Sequence, residues 1–177
     1  MISALVAAIW LMMPAYVPNS AAAALGGGTP VDFGRRWSDG RRILGDGKTW
    51  RGFALGVAAG VGVGLVEIWA QTAFNLSSLP EHTVLTVFLF AAGALLGDMV
   101  KSFFKRRFGK ERGEEWLIAD QYDFVIGAFV LTAIFQWTWL AENLDLMVLI
   151  WILVLTPLLH RLANIIGYLA GVKDVPW

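Results

Sequence analysis

Asp98, Lys101 and Lys105 stand three and four residues apart, and Asp120 and Asp123 follow three residues apart. On a helix, side chains at i, i+3 and i+7 lie on one face. The first three residues would therefore form a stripe of one carboxylate and two ammonium groups, with a second acidic pair at the start of the next helix. Three carboxylates without a neighbouring His or Cys suit a hard, oxygen-preferring ion such as Mg²⁺. That ion takes few carboxylates and completes its shell with water and phosphate oxygens. Lys and Arg one turn away would meet the phosphates. The competing reading is a basic segment resting on anionic lipid headgroups with the aspartates balancing its charge. The shared face of Asp98, Lys101 and Lys105, together with a second aspartate pair, favours phosphate chemistry.

A second basic segment precedes this one. It contains Gly26-Gly27-Gly28, Pro30, Asp32, Gly34-Arg35-Arg36, Asp39-Gly40-Arg41-Arg42 and Gly45-Asp46-Gly47-Lys48-Thr49-Trp50-Arg51-Gly52. Gly47-Lys48-Thr49 imitates the end of a P-loop, but Arg42 occupies the position of the first required Gly and an apolar run, not a strand, precedes the loop. Backbone N–H groups of a glycine-rich loop with interspersed Arg and Lys still suit phosphate.

The elements that must hold these segments are membrane spans. Hydrophobic residues make up 57% of the 177 residues, and apolar runs approach the ~20 residues that cross a bilayer. Five spans are expected, at about 2–25, 52–75, 83–100, 124–140 and 144–170, joined by polar loops 26–51 and 101–123 in a single transmembrane domain covering 1–177. The fold class is an all-α integral membrane protein. There is no Cys, which excludes disulfides, thiolate metal sites and Cys nucleophiles. Ala21-Ala22-Ala23 after the first run imitates a signal cleavage site, but no Lys or Arg precedes that run, so an uncleaved span is expected.

Of the 14 Lys and Arg residues, all but Arg161 and Lys173 lie between Arg35 and Arg51 or between Lys101 and Arg112. With five spans both segments and the C-terminus share a side, while the opposite connections carry Glu81 and Glu142 and no cation. The positive-inside rule then expects a cytoplasmic C-terminus and an N-terminus outside. Trp50, Trp137 and Trp139 are expected as interfacial anchors. Gly52, Gly56, Gly60 and Gly64 recur every fourth residue and Gly93 and Gly97 repeat the device, which predicts close packing with spans two and three as a central pair. Pro14, Pro18 and Pro157 are expected to bend or break their helices. The polar residues Asn19, Asp98, Asp120, Asp123 and Asn164 all fall toward the cytoplasmic ends of their spans, and intramembrane polar groups are a functional signal. Glu67 and Gln71 are expected to be structural. His160 and Arg161 are open between a proton or anion site and a structural role.

The stretch Asp39-Gly40-Arg41-Arg42-Ile43-Leu44-Gly45-Asp46-Gly47-Lys48-Thr49-Trp50-Arg51-Gly52, paired with Gly97-Asp98-x-x-Lys101-Ser102-Phe103-x-Lys105-Arg106-Arg107 and Asp120-Gln121-x-Asp123-Phe124, resembles the archaeal CDP-archaeol synthase family over essentially the whole chain. The resemblance implies a CTP-dependent cytidylyltransferase acting on an isoprenoid ether-lipid phosphate, digeranylgeranylglyceryl phosphate, at the cytoplasmic face of the cell membrane. It implies Asp98, Asp120 and Asp123 for Mg²⁺, and Lys101, Lys105 and Arg106 for the triphosphate. Asp46, Lys48 and Arg51 would complete the nucleotide site, and Asn19 and Asn164 would line the cavity. The bacterial CDP-diacylglycerol synthases, similar in logic, carry Arg where this chain has Gln121, which points away from an ester-lipid acceptor. Expected partners are CTP, the lipid phosphate and membrane lipids, with no nucleic acid and no obligatory protein partner. A CDP-alcohol phosphotransferase is disfavoured because Asp39-Gly40 is followed by Arg41-Arg42-Ile43-Leu44, and a transporter or channel because the polar residues gather at one leaflet.

Overall fold

The computed structural model describes residues 2–110, 114 and 116–172. Arg112 and Lys173, which enter the charge pattern, lie outside the described residues. The chain is all-helical: α1 (Ile2–Leu25), α2 (Trp50–Ala73), α3 (Val84–Arg107), α4 (Leu117–Asn143) and α5 (Leu146–Leu169). All five are long and apolar enough to cross a membrane. The protein is a multi-pass membrane protein.

The helices differ from the expected spans mainly at the charged end of the bundle. There α3 runs on through Lys101 to Arg107 and α4 begins at Leu117, so the apolar runs understate the helices and much of the supposed second loop is helical. The charged turns remain helical because they are tied to other elements, as the site shows below. Caps fix other boundaries: Thr49 Oγ1 accepts from Gly52 N at 3.0 Å, Thr83 and Thr86 form a reciprocal capping box, and Asp145 accepts from Val148 N at 2.8 Å. Each satisfies a backbone donor that helix geometry leaves orphaned.

The glycines set which helices approach. On α2, a Cβ on Gly60 would lie 2.6 Å from the Pro14 carbonyl oxygen and 2.7 Å from Ala91 Cβ, and one on Gly56 would meet Pro18 O at 2.7 Å. The α2 ladder is thus shared between α1 and α3. The expected central pair is corrected, because the closest approach is between α3 and α4. A Cβ on Gly93 would lie 2.6 Å from Gly127 O, and one on Gly97 would collide with the Asp123 carbonyl. Gly127 on α4 was not among the expected packing glycines. Its lack of a side chain lets the backbones touch and gain dispersion contacts where lipid offers no hydrophobic driving force.

The helices run unbroken through Pro14, Pro18 and Pro157, so the expected breaks do not occur there; the non-helical φ/ψ lies at Gln136 in α4 (φ −143°, ψ 47°). A proline leaves the carbonyl four residues earlier without its helical donor, and here these carbonyls meet other groups. The carbonyl of Trp10, freed by Pro14, faces the His82 imidazole. That of Pro14, freed by Pro18, faces Gly60. That of Leu153, freed by Pro157, accepts from Tyr122 Oη at 2.7 Å. Backbone groups re-satisfied by neighbours let proline persist in membrane helices.

At the end of the bundle away from the charges, Gln71 Nε2 donates to Leu79 O at 3.0 Å, the structural role expected of it. Trp137 and Trp50 are exposed as interfacial residues would be. Trp139 is half-buried: it packs against the core, meets the ring of His82 at a tilt and that of Phe90 edge-on, and donates to Glu81 O at 2.7 Å.

Candidate active site

Close contact of α3 with α4 builds the site. Because Gly97 has no side chain, the α4 backbone at Asp123 lies directly against α3, which brings Asp98 and Lys101 to the aspartates of α4. The Lys101 ammonium lies 3.1 Å from Asp98 Oδ1, 3.0 Å from Asp120 Oδ1 and 2.8 Å from Asp123 Oδ2. Lys105 bridges both oxygens of Asp120 at 2.9 and 3.0 Å and donates to Glu114 O. Asp120 also caps the start of α4 by accepting from Trp116 N at 2.7 Å. Lys48 reaches Asp98 Oδ2 at 2.5 Å from the first loop. Three ammonium groups and three carboxylates thus alternate in a network, an arrangement that makes burying charge at this depth tolerable.

These residues line a cavity of about 240 Å³ together with Asn19 of α1 and His160 and Asn164 of α5. Eight of the eleven expected site residues therefore meet: Asn19, Lys48, Asp98, Lys101, Lys105, Asp120, Asp123 and Asn164 surround one space. The other three stand apart. Asp46 pairs with Arg42 at 2.5 Å with its side chain largely exposed. Arg51 is exposed on the first turn of α2. Arg106 packs against Gly45 and donates to Lys110 O at 2.6 Å and Leu44 O at 3.4 Å, latching the first loop to the end of α3. Spacing alone placed Arg106 beside Lys105, but a neighbouring helical position points about 100° away.

His160 joins the site through its place in α5. It stacks on Phe124 with ring centroids 6.1 Å apart. Arg161 is exposed on the same helix.

Asp32, noted in the sequence only as a member of the first basic segment, received no role there. It is buried and accepts from Gly34, Leu44 and Gly45 N–H groups while pairing with Arg42 at 2.7 Å. Burial alone would raise its pKa, but the Arg42 guanidinium and the N–H groups of Gly45, Leu44 and Gly34 outweigh it and hold the carboxyl well below the usual carboxylate range. Asp32 is therefore the hub around which the first loop folds and from which Lys48 is aimed. Only its isolation among apolar and glycine neighbours could have marked it. A further latch, also unread, holds that loop: Arg107 pairs with Asp39 at 2.9 Å, donates to Arg42 O at 2.6 Å and lies over the Phe103 ring at 5.1 Å. Lys48 follows from this loop and not from a P-loop, since Thr49 caps α2 and the ammonium is directed at a carboxylate.

The donor set is hard oxygen, as a divalent cation such as Mg²⁺ requires. Among the described residues, however, no three acidic or imidazole groups are arranged to hold a metal as they stand, because Lys101 occupies the centre. Asp123 Oδ2 is buried and receives no well-aligned hydrogen bond despite its closeness to that ammonium. It retains a lone pair for a ligand. The cavity can thus gather anionic phosphates by ammonium groups and a metal by carboxylates.

The chain matches the family model described as CarS-like, CDP-archaeol synthase, over residues 1–177. It is 64% identical to the CDP-archaeol synthase of Methanoculleus marisnigri over 166 residues, which cover 94% of this chain and all of that protein. It is 47% identical to the CDP-archaeol synthase of Halobacterium salinarum over 180 residues, covering 100% of this chain and 99% of that protein. A solved structure of an intramembrane enzyme for archaeal membrane lipid biosynthesis superposes with a TM-score of 0.73 at 37% identity, covering 91% of this chain and 94% of that one.

Proposed function

The chain belongs to the CDP-archaeol synthase family, a cytidylyltransferase of archaeal lipid biosynthesis, and on that premise we propose that it transfers CMP from CTP to digeranylgeranylglyceryl phosphate, releasing pyrophosphate. The observation that carries the reading is the single Lys101 ammonium held within 3.1 Å of three carboxylates from two helices, with Lys48 and Lys105 beside it in one cavity.

A phosphate oxygen of the lipid forms a bond to the α-phosphorus of CTP while the bond from that phosphorus to the bridging oxygen of the β-phosphate breaks. The electron pair leaves with pyrophosphate. The nucleophile is already ionised at neutral pH, so no general base is required. The obstacle is repulsion between two polyanions, and pre-placed positive charge in a site poor in water lowers it. Lys48, Lys101 and Lys105 supply that charge and hold the triphosphate in line with the acceptor. Asp98, Asp120 and Asp123 would hold Mg²⁺, which when bound neutralises phosphate charge, and Lys101 then turns from carboxylates to phosphate. Asn19, His160 and Asn164 give the cavity hydrogen-bonding walls on the side of α1 and α5. Asp46 in the first loop, Arg51 on the first turn of α2 and Arg106 at the end of α3 flank the site without lining its cavity. The clustering of cations in the two basic segments supports a site at the cytoplasmic leaflet with the N-terminus outside, under the positive-inside rule.

The test is transfer of label from [α-³²P]CTP into extractable lipid by purified protein supplied with digeranylgeranylglyceryl phosphate and Mg²⁺. Labelled lipid that disappears with EDTA is the expected result. Folded protein that forms none, beside a working control enzyme, overturns the assignment.

A further inference from the structure

An apolar groove of about 540 Å³ runs along the outer face of the α3–α4 pair, its lining almost entirely hydrocarbon. Gly97 and Gly127 line it without side chains, while Val100 and Phe104 from α3 and Tyr122 and Ile126 from α4 stand along its sides. Between its Leu96–Leu131 part and its Phe104–Ile118 part it passes Lys101 and Asp123, residues that also line the charged cavity. We propose that this groove binds one isoprenoid chain of the acceptor lipid and delivers its phosphate to Lys101 from the α3–α4 side, with the nucleotide entering from the other side of that residue. The inference rests on the function proposed above and adds the path of the lipid.

Three observations carry it. The groove and the cavity share Lys101 and Asp123, so a chain lying in the Gly97–Leu131 part of the groove brings its head to the reacting groups. Lys48, His160 and Asn164 line the cavity and not the groove, which leaves them to the nucleotide and separates the two substrates as in-line displacement demands. The glycines that draw α3 and α4 together leave room beside the helix contact, and a methyl-branched isoprenoid chain is thicker than a straight acyl chain. From Asp123 onward along α4 the groove runs to Leu131, about 12 Å at 1.5 Å per residue; that part seats the portion of the chain nearest the glycerol and leaves the rest in the bilayer.

A second opening, of about 290 Å³ between α1 and α5, also meets the cavity, but Tyr16, Asn19, Ser20, His160 and Asn164 line it. Hydroxyl, amide and imidazole groups are costly to cover with hydrocarbon.

Val100→Trp and Ile126→Trp fill the groove in the full-length protein. Both positions face the bilayer side, with 56% and 60% of their surface exposed, so the larger ring is tolerated. Initial rates of CMP transfer should show KM for digeranylgeranylglyceryl phosphate raised about tenfold or more, the loss of a few buried methylene contacts, with KM for CTP and calorimetric CTP binding unchanged. Leu158→Trp on the bilayer face of α5 should behave as wild type. An ether-lipid phosphate with chains too short to reach Ile126 should abolish the difference between Ile126→Trp and wild type, which general destabilisation would not do. If a Trp variant fails to elute as a single species, Ile126→Phe replaces it. Unchanged lipid KM in groove variants of an active enzyme, or a raised lipid KM in Ala163→Trp of the α1–α5 opening instead, overturns the groove. A wild-type protein that binds CTP and transfers nothing overturns the underlying function.

Discussion

Lys101 neutralises three carboxylates at once, so its removal leaves more uncompensated charge than the loss of any one aspartate. Breaking a buried ion pair from one side costs roughly 3–5 kcal/mol in interiors. Metal-free Lys101→Ala should therefore melt at a lower temperature than Asp98→Asn or Asp123→Asn, as followed by intrinsic fluorescence in detergent. Added Mg²⁺ should restore the melting temperature of Lys101→Ala more than that of the wild type, because the carboxylates no longer hold an ammonium. Equal Mg²⁺ responses would remove the carboxylates from the metal site. For the reaction itself, Asp123→Asn should lower turnover about 100-fold or more while CTP binding persists, consistent with loss of a charge-organising group. Activity near wild type would exclude that role.

At the scale of elements, prolines and glycines act together, and each carbonyl freed by a proline is an attachment point. Tyr122 uses the one freed by Pro157 to fasten α4 to α5 beside the site. Tyr122→Phe should cost about 1 kcal/mol, the usual net worth of such a bond, and lower the melting temperature without changing KM for CTP. A larger shift in KM than in stability would mean the hydroxyl serves substrate instead. His82, in the short α2–α3 connection, is buried against the freed carbonyl of Trp10 on α1. Burial pushes its pKa down from 6.5 to about 4, with the carbonyls of Trp10 and Leu11 opposing. A base whose pKa falls on folding takes up protons more readily when unfolded, so its stabilising contribution is complete above pH 6.5 and is lost as pH drops toward 4. Melting temperature measured across that window should fall with pH in the wild type and flatten in His82→Phe.

For the whole molecule, charge segregation makes a prediction about orientation. The absence of Cys permits single-cysteine labelling without prior substitution. Ser38→Cys in the first loop and Ser78→Cys between α2 and α3 are both exposed positions. In intact cells an impermeant maleimide should label Ser78→Cys alone, and disruption of the cells should expose Ser38→Cys. The reverse pattern would put the charged cavity outside and remove CTP as a plausible substrate. The loop at Ser38 is nonetheless no loose tether: Asp32 gathers its backbone and Arg107 holds it to α3, so the charged face is one assembly of two segments separated by a whole helix.

Apolar run length, a property of local composition, was enough to specify five spans, and cation spacing was enough to locate the chemistry near Asp98, Lys101 and the Asp120–Asp123 pair. Helical periodicity likewise put those residues on common faces, since i, i+3 and i+4 relations are local. The sequence therefore determined the fold class, the charged end and eight of the lining residues. Only the tertiary structure decided that α3 packs closest on α4 through Gly93, Gly97 and Gly127, that Arg106 fastens a loop instead of facing the cavity, and that Asp32 organises that loop. Those outcomes depend on which surfaces meet across long separations in the chain. Small-residue faces and charged side chains are compatible with several neighbours, and the choice among them is made by the packing of all five helices together.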